Sequence, residues 1–251
     1  MFYAGMMKRR QFLASIAAIA LVPPTLAHAE EWQTRLIKSV YDDELYYGLH
    51  VKLVPTWKTY WRVPGVAGIP TMITLEGSDI DSLEVDFPIP LRINDESGEA
   101  IGYHDDVVFL LRPFLKDGIV PDKANGKVKA FFGVCQNICK PAKFEADLSS
   151  AVTDDDLMAK FIERVPEDDE FISAATQTDD TLNLTLVANK RFADIFVEGP
   201  DGLYFNKPEI AGGTAKFKIN GLTAGQKLTG EELRITAAIF GGGLEQFFTV
   251  A

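Results

Sequence analysis

Short hydrophobic runs separated by closely spaced turn residues constrain the fold of this chain most strongly. Residues 83–87 alternate between apolar and polar side chains, and residues 107–111 form a continuous apolar run. Alternation with a period of two predicts a half-buried strand, whereas a short continuous run predicts a fully buried one. Turn-forming pairs such as Pro64-Gly65 and Asn125-Gly126 lie between such runs. Many short strands with this punctuation predict an all-β fold of the sandwich type.

One segment departs from the strand pattern. Residues 153–156 offer an N-cap and an acidic first turn, and the apolar residues that follow recur at helical spacing up to Pro166. Strand-like runs resume after this proline. The sequence therefore predicts two β-sandwich domains, at residues 30–150 and 167–251, joined by a short helical linker at residues 151–166.

The N-terminus has the pattern of a cleavable export signal. Three basic residues at positions 8–10 precede an apolar run at 12–22, and a small-x-small site ends at Ala29. The apolar run is shorter than the roughly 20 residues that span a bilayer. We therefore predict a signal peptide over residues 1–29, cleaved after Ala29, and export to a compartment where disulfides persist. The Arg9-Arg10 pair resembles the twin-arginine export motif, and an ordinary Sec signal is the alternative.

The exported part of the chain is acidic. The chain has 25 basic and 36 acidic residues, and residues 1–29 hold three of the basic and none of the acidic ones, so cleavage leaves a formal net charge of −14. Such a surface disfavours nucleic acid and anionic lipid as partners. No apolar run after the signal approaches the length of a transmembrane helix, and we expect no stable membrane insertion.

The two cysteines of the chain, Cys135 and Cys139, have three residues between them. A ring this small stabilises a fold little, by roughly 2 kcal/mol in the chain-entropy model. The pair is therefore either a local staple or a reactive dithiol, and its spacing alone does not separate these alternatives. Lys140 and Lys143 follow closely, and a positive charge would favour a reactive thiolate, although solvated surface lysines would give the same pattern.

Other chemistries have less support from the residues. A metal site needs three or four ligands, and beside the cysteines the exported chain offers only His50 and His104, at spacings unlike those of zinc modules. We therefore predict neither a metal site nor a cofactor. Binding of Cu(I) by Cys135 and Cys139, with His104 as a third ligand, stays open as an alternative because soft thiolates suit this ion.

Four motifs between residues 59 and 141 carry a family resemblance. They are residues 59–70 (TYWRVPGVAGIP), 87–90 (FPIP), 102–107 (GYHDDV) and 135–141 (CQNICKP). In this order they resemble the periplasmic N-terminal region of the DsbD and ScsB thiol–disulfide interchange proteins, and the cysteine spacing is nearer the ScsB type. The resemblance implies immunoglobulin-like sandwiches, a periplasmic location, and Cys135 and Cys139 as a redox-active disulfide in the domain at 30–150.

The resemblance also implies partners and roles. In this family the cysteine pair accepts electrons from a membrane-embedded domain and passes them to thioredoxin-like periplasmic proteins. Neither that domain nor a thioredoxin-like domain is evident in this sequence, so we expect a separate membrane electron transporter as the donor. By the same resemblance, Cys139 forms the mixed disulfide with a partner. The alternative function is a non-catalytic binding module with a structural disulfide.

One departure from the family concerns access to the cysteines. In DsbD an aromatic loop shields the pair, but the nearest segment here, residues 94–99, has no aromatic residue. We therefore expect either that Tyr103 or Phe87 shields the cysteines, or that the pair is more exposed than in the family.

Overall fold

The structure is a computed structural model that describes residues 31–66, 68–95, 98–188 and 190–251. The signal predicted at residues 1–29 lies outside the described residues. Residues 31–251 form a compact unit. Within the described ranges, no helix is both long enough and apolar enough to cross a membrane.

The first sandwich consists of two facing sheets. Its strands are β1 (Trp32–Tyr41), β2 (Glu44–Leu53), β3 (Lys58–Tyr60), β4 (Met72–Glu76), β5 (Ile80–Asp86), β6 (Leu91–Asp95), β7 (Gly98–His104), β8 (Asp106–Leu115), β9 (Lys127–Cys135), β10 (Cys139–Asp147) and β11 (Val152–Thr153). Among the described residues, one sheet has the order β11-β1-β2-β8-β5. The other has the order β10-β9-β3-β7-β6, and β4 also pairs with β9.

The strands predicted from the sequence are confirmed here, and they form a single core. Residues 83–86 of the alternating segment 83–87 lie within β5, and the apolar run 107–111 lies within β8. Alternate residues of β2 and β9 face each other between the sheets, where Leu49 and Phe132 are fully buried. Burying one face of each sheet in this way is the reason that the strands alternate.

The predicted helix is present as α1 (Asp155–Ile162). It follows β11 of the first sandwich and precedes the first strand of the second sandwich. The Asp154 side chain caps its N-terminus by accepting a hydrogen bond from the Leu157 backbone N–H at 3.3 Å. Met158 and Phe161 of this helix are fully buried in the core of the first sandwich. The helix is therefore more than a connector, because it covers part of the first core.

The second sandwich follows the same construction with a separate core. Its strands are β12 (Glu167–Asp168), β13 (Ile172–Thr178), β14 (Thr181–Leu186), β15 (Phe192–Glu198), β16 (Tyr204–Phe205), β17 (Glu209–Ala211), β18 (Thr214–Asn220), β19 (Glu232–Ile239) and β20 (Gly242–Thr249). In the described part of the chain, β12-β20-β19-β15 form one sheet and β13-β14-β18-β16 form the other, with β17 beside β18. Leu184, Phe217 and Ile235 lie in the core between them.

The two sandwiches are in direct contact through residues that follow β3. Trp61 packs edge-on against Phe196 of the second sandwich, with ring centroids 5.7 Å apart. Arg62 donates hydrogen bonds to Glu198 and to Glu245, both at 2.7 Å. Although burial lowers the pKa of Arg62, its hydrogen bond to Glu198 and the charges of both glutamates raise this pKa above its ordinary value. A largely buried ion cluster therefore joins the sandwiches.

Candidate functional site

The β9–β10 hairpin brings the two cysteines together. Cys135 is the last residue of β9, Cys139 is the first residue of β10, and the two are partners in the antiparallel register. Their Cα atoms are 4.2 Å apart, and the structure joins them by a disulfide. The intervening residues 136–138 make the turn. The pairing is therefore produced by local structure and needs no rearrangement of the rest of the fold.

The two sulfur-bearing residues differ sharply in exposure. Cys135 is 1% exposed, in a small cluster with Tyr60 and Ala100. Cys139 is exposed, and the neighbouring Ile138 is 75% exposed at the tip of the hairpin. A partner protein approaching this tip reaches Cys139 first, whereas Cys135 is protected by the sheet.

A tyrosine from the neighbouring strand contacts the exposed cysteine. The Tyr60 hydroxyl lies 3.1 Å from the Cys139 Sγ. Because a disulfide sulfur carries no proton, the hydroxyl donates this hydrogen bond. The Tyr60 ring lies directly over Gly133, where an added Cβ would come within 2.9 Å of the ring carbons. Gly133 is therefore needed for the close approach of the tyrosine to the pair.

Tyr103 and Phe87, the residues expected to shield the cysteines, lie elsewhere. Tyr103 pairs with Thr59, so it projects to the core side of the sheet, whereas Cys135 projects to the outer side. Its hydroxyl donates to the Pro88 carbonyl at 2.7 Å, and burial raises its pKa well above the ordinary value. Phe87 packs on Phe109 in the same core. Among the described residues, the aromatic ring beside the pair is that of Tyr60.

The lysines that follow the cysteines do not point toward them. Lys140 forms an ion pair with Glu31, and its ammonium lies 5.1 Å from the centroid of the Trp57 ring. Lys143 is the register partner of Phe131, four residues from Cys135 along β9, which corresponds to about 13 Å of strand. The lysine nearest to Cys135 in the register is Lys58, its direct partner on β3.

Sequence reasoning missed the positions of Lys58 and Tyr60 beside the cysteine pair. Both belong to a three-residue strand, and residues 58–60 carry no alternation by which their buried face could be recognised. The available signal was their spacing of two residues, which places both side chains on one side of a strand.

His104 and His50 contact different groups, and neither contact involves a cysteine. The His104 Nδ1 lies 3.0 Å from the Trp57 carbonyl oxygen. His50 accepts a hydrogen bond from Arg35 at Nδ1 and contacts Asp106 at 2.9 Å through Nε2. Over the ranges that the structure describes, no group of three or more His, Cys, Asp or Glu residues is arranged to hold a metal ion.

Comparison with known proteins finds a family match to part of the chain and a solved structure of similar fold. Residues 27–150 match the family described as "Thiol:disulfide interchange protein DsbD, N-terminal". The crystal structure of the N-terminal periplasmic domain of ScsB from Proteus mirabilis matches with a TM-score of 0.70 and 21% identity, over 90% of this chain and 96% of that chain. The Pseudomonas aeruginosa CupB2 chaperone gives a TM-score of 0.21 at 10% identity over 82% and 93% of the two chains, which does not indicate a common fold.

A search of curated proteins finds no match to the chain. The likeness to the ScsB domain extends over both sandwiches, because it covers 90% of the chain. Together with the observed sheets, it confirms the all-β fold of immunoglobulin-like sandwiches that the sequence predicts.

Proposed function

We propose that this chain, whose residues 27–150 match the DsbD N-terminal family of thiol:disulfide interchange proteins, exchanges thiols and disulfides with partner proteins through Cys135 and Cys139. The observation that carries the proposal is the unequal exposure of the two residues. A disulfide with one accessible and one protected sulfur directs a partner to the accessible one.

The exchange step follows from this asymmetry. A thiolate of the donor attacks the Cys139 Sγ, a bond forms between the two sulfurs, and the Cys135–Cys139 bond breaks. The electron pair of that bond leaves on Cys135 as its thiolate. The hairpin then holds Cys135 beside Cys139, so the Cys135 thiolate can attack the mixed disulfide, re-form the Cys135–Cys139 bond and release the donor unchanged. Alternatively, the donor's second thiolate attacks the mixed disulfide. The donor is then released as a disulfide, and Cys135 and Cys139 are left reduced.

The reduced pair supplies electrons to the next partner by the reverse sequence. In the proposed direction, a separate membrane electron transporter reduces the disulfide, and the dithiol then reduces thioredoxin-like proteins of the periplasm. The redox domain comprises residues 30–150. The domain at residues 167–251 has no cysteine, and its role in this proposal is to support the redox domain through the Arg62 ion cluster.

Single-cysteine variants test the proposal. Cys135→Ser leaves the exposed Cys139 thiol without its resolving partner. The probe is a thioredoxin that keeps only its attacking cysteine, activated as a mixed disulfide with thionitrobenzoate. The Cys139 thiolate should displace the thionitrobenzoate and trap a covalent mixed disulfide with thioredoxin. Cys139→Ser is the matched control, because it retains only the protected thiol and should trap little. The complexes are counted by non-reducing electrophoresis and intact mass. Trapping by neither variant would indicate that the disulfide is a structural staple, and equal trapping by both would contradict the assignment of Cys139 as the residue that a partner reaches.

A further inference from the structure

A turn beside the cysteines carries an unusual residue. Residues 54–57 join β2 to β3, and the Trp57 backbone N–H donates a hydrogen bond to the Val54 carbonyl at 3.1 Å, which closes a four-residue turn. Pro55 occupies its second position and Thr56 its third, where φ is 74°. A proline followed by a positive φ is typical of a type II turn, whose third position normally holds glycine or asparagine. Thr56 therefore stands where the turn favours glycine.

The conformation of Thr56 is unusual for its side chain as well as for its turn. Among the described residues, the other non-glycine residues with positive φ are all aspartates, at positions 42, 43, 105 and 179. Aspartate tolerates this region because its short polar side chain can hydrogen-bond locally, whereas a β-branched side chain is a true outlier there. Such residues persist where the surrounding structure holds them, and they concentrate at functional sites. The contacts of Thr56 therefore indicate what its strained backbone supports.

The Thr56 hydroxyl contacts the turn that joins the two cysteines. The Gln136 Nε2 donates a hydrogen bond to the Thr56 Oγ1 at 2.8 Å, and Gln136 immediately follows Cys135. Asn137 and Ile138, which complete the cysteine turn, are exposed. Glycine at position 56 would offer no side-chain acceptor to Gln136. The residue that strains one turn is therefore also the residue that holds the other.

Trp57, the last residue of the 54–57 turn, contacts the other side of the cysteine pair. The Lys140 ammonium lies 5.1 Å from the centroid of the Trp57 ring, and Lys140 immediately follows Cys139. The Trp57 carbonyl oxygen lies 3.0 Å from the His104 Nδ1, which links the turn to the end of β7. Residues 54–57 therefore contact the residue that follows each cysteine.

We infer that Thr56 is a positioning residue, which keeps Cys135 and Cys139 within reach of each other once their disulfide has been reduced. This inference rests on the proposed function and concerns the step that closes the disulfide again. In that step the Cys135 thiolate attacks the Cys139 Sγ of a mixed disulfide, and the Cys135–Cys139 bond forms. The bond between Cys139 and the partner breaks, and its electron pair leaves on the partner sulfur as a thiolate. Holding two reacting groups in place accelerates such a step, because less motion has to be lost on reaching the transition state.

The Thr56–Gln136 contact also favours the oxidised state of the pair. In the oxidised protein the disulfide itself restrains residues 136–138, so loss of the hydrogen bond frees this turn mainly in the reduced protein. A single hydrogen bond has a modest net effect, equivalent to a factor of roughly two to ten in an equilibrium constant. Without it, we expect the disulfide to be easier to reduce by this factor, which raises the potential of the two-electron couple by roughly 10–30 mV.

The test compares Thr56→Val with Thr56→Ser in the purified protein. Thr56→Val keeps the shape and branching of the side chain and removes its hydroxyl, whereas Thr56→Ser keeps the hydroxyl. The reduced proteins are mixed with oxidised glutathione, quenched with acid and weighed, so that ring closure is followed as the first-order loss of the glutathionylated intermediate. We expect roughly two- to tenfold slower closure for Thr56→Val, with a potential higher by roughly 10–30 mV. Thr56→Ser should close at the original rate and keep the original potential.

Two further variants exclude a merely structural effect. Gln136→Met removes the donor, so it should reproduce the slow closure of Thr56→Val, and combining the two should add nothing because they remove the same interaction. Thr56→Gly removes the hydroxyl but relieves the strained backbone, since glycine adopts a positive φ readily. The urea midpoint of Thr56→Gly should therefore match or exceed that of the original protein, although its ring closure is slow. If Thr56→Val does not fold, Thr56→Gly takes its place.

The outcomes separate the inference from the proposed function. If the original protein closes its disulfide through a mixed disulfide but loss of the Thr56 hydroxyl changes neither the rate nor the potential, the inference is wrong and the proposed function stands. Closure by Thr56→Ser that is as slow as that by Thr56→Val would also overturn the inference, because the hydroxyl would not be the cause. If the original protein forms no mixed disulfide with glutathione or with the thioredoxin probe, the proposed function fails and the inference fails with it.

Discussion

The ion cluster between the sandwiches should contribute strongly to stability, and Arg62→Leu measures its contribution. Arg62 is 12% exposed and binds Glu198 and Glu245, whose side chains are 16% and 9% exposed. Removing one partner of a buried ion pair typically costs about 3–5 kcal/mol, because it leaves an uncompensated charge. Arg234 still binds Glu245 in the variant, so we expect a loss near the lower end, about 3 kcal/mol.

The assay is urea unfolding followed by tryptophan fluorescence. With an m-value of about 3 kcal/mol/M, the expected loss lowers the midpoint by about 1 M. Arg112→Leu is the matched control, because Arg112 also bridges two carboxylates, Glu84 and Asp86, but is 38% exposed. Such pairs contribute about 1 kcal/mol or less.

A double variant identifies the source of the loss. Arg62→Leu leaves the largely buried Glu198 carboxylate without its Arg62 partner. Replacing Glu198 by Leu in the same background removes that carboxylate. Because that unpaired charge is the main cost, the double variant should recover part of the lost stability. If Arg62→Leu destabilises no more than Arg112→Leu, or if the double variant is less stable than Arg62→Leu, the cluster is not the buried ion pair described above.

Three further predictions concern the same region. Gly133→Ala should lower the free energy of unfolding by about 1–3 kcal/mol in urea titrations, since the new Cβ meets the Tyr60 ring and Ile69 at 2.9 and 2.8 Å; an unchanged midpoint would contradict the packing. Tyr60→Phe in a Cys135→Ser background should raise the pH midpoint of Cys139 thiolate absorbance by about 1–2 units, because a hydrogen bond to a charged group contributes about 1.5–3 kcal/mol. The pKa of Glu245 is lowered despite burial, by Arg234 and Arg62, so its stabilisation is complete above its ordinary pKa and is lost as pH falls through the lowered value. The original protein should therefore lose more stability than Glu245→Gln between about pH 5 and pH 3, and parallel losses would refute the assignment.

The strands and the helix could be predicted from the sequence because each depends on local patterns. The apolar run at 107–111 and the alternation at 83–87 both indicate burial; the first lies within β8, and residues 83–86 of the second lie within β5. The N-cap, Asp154, lies within the segment 153–156 where the sequence predicts a cap and an acidic first turn. The cysteines, four positions apart, face each other because a short turn joins two strands.

The surroundings of the cysteines depend on register, which no local pattern reveals. Tyr60 and Tyr103 look alike in the sequence, but the alternation of β3 and β7 sends the first toward Cys139 and the second into the core. Nothing in the sequence distinguishes Lys58 from a surface lysine, and its burial follows from the position of β3 between β7 and β9. The ion cluster joins Arg62 to Glu198 and Glu245 over 136 and 183 residues of sequence, a distance over which composition carries no pairing information.

The reduction potential of the Cys135–Cys139 pair tests the central claim most directly. The purified protein is equilibrated with dithiothreitol and glutathione buffers, its thiols are trapped by alkylation, and the oxidised and reduced fractions are counted by intact mass. If the pair exchanges electrons with protein partners, its potential should lie among those of exchange proteins, at roughly −270 to −120 mV. A potential below about −300 mV, where structural disulfides lie, would contradict the account and leave the disulfide as a staple of the hairpin.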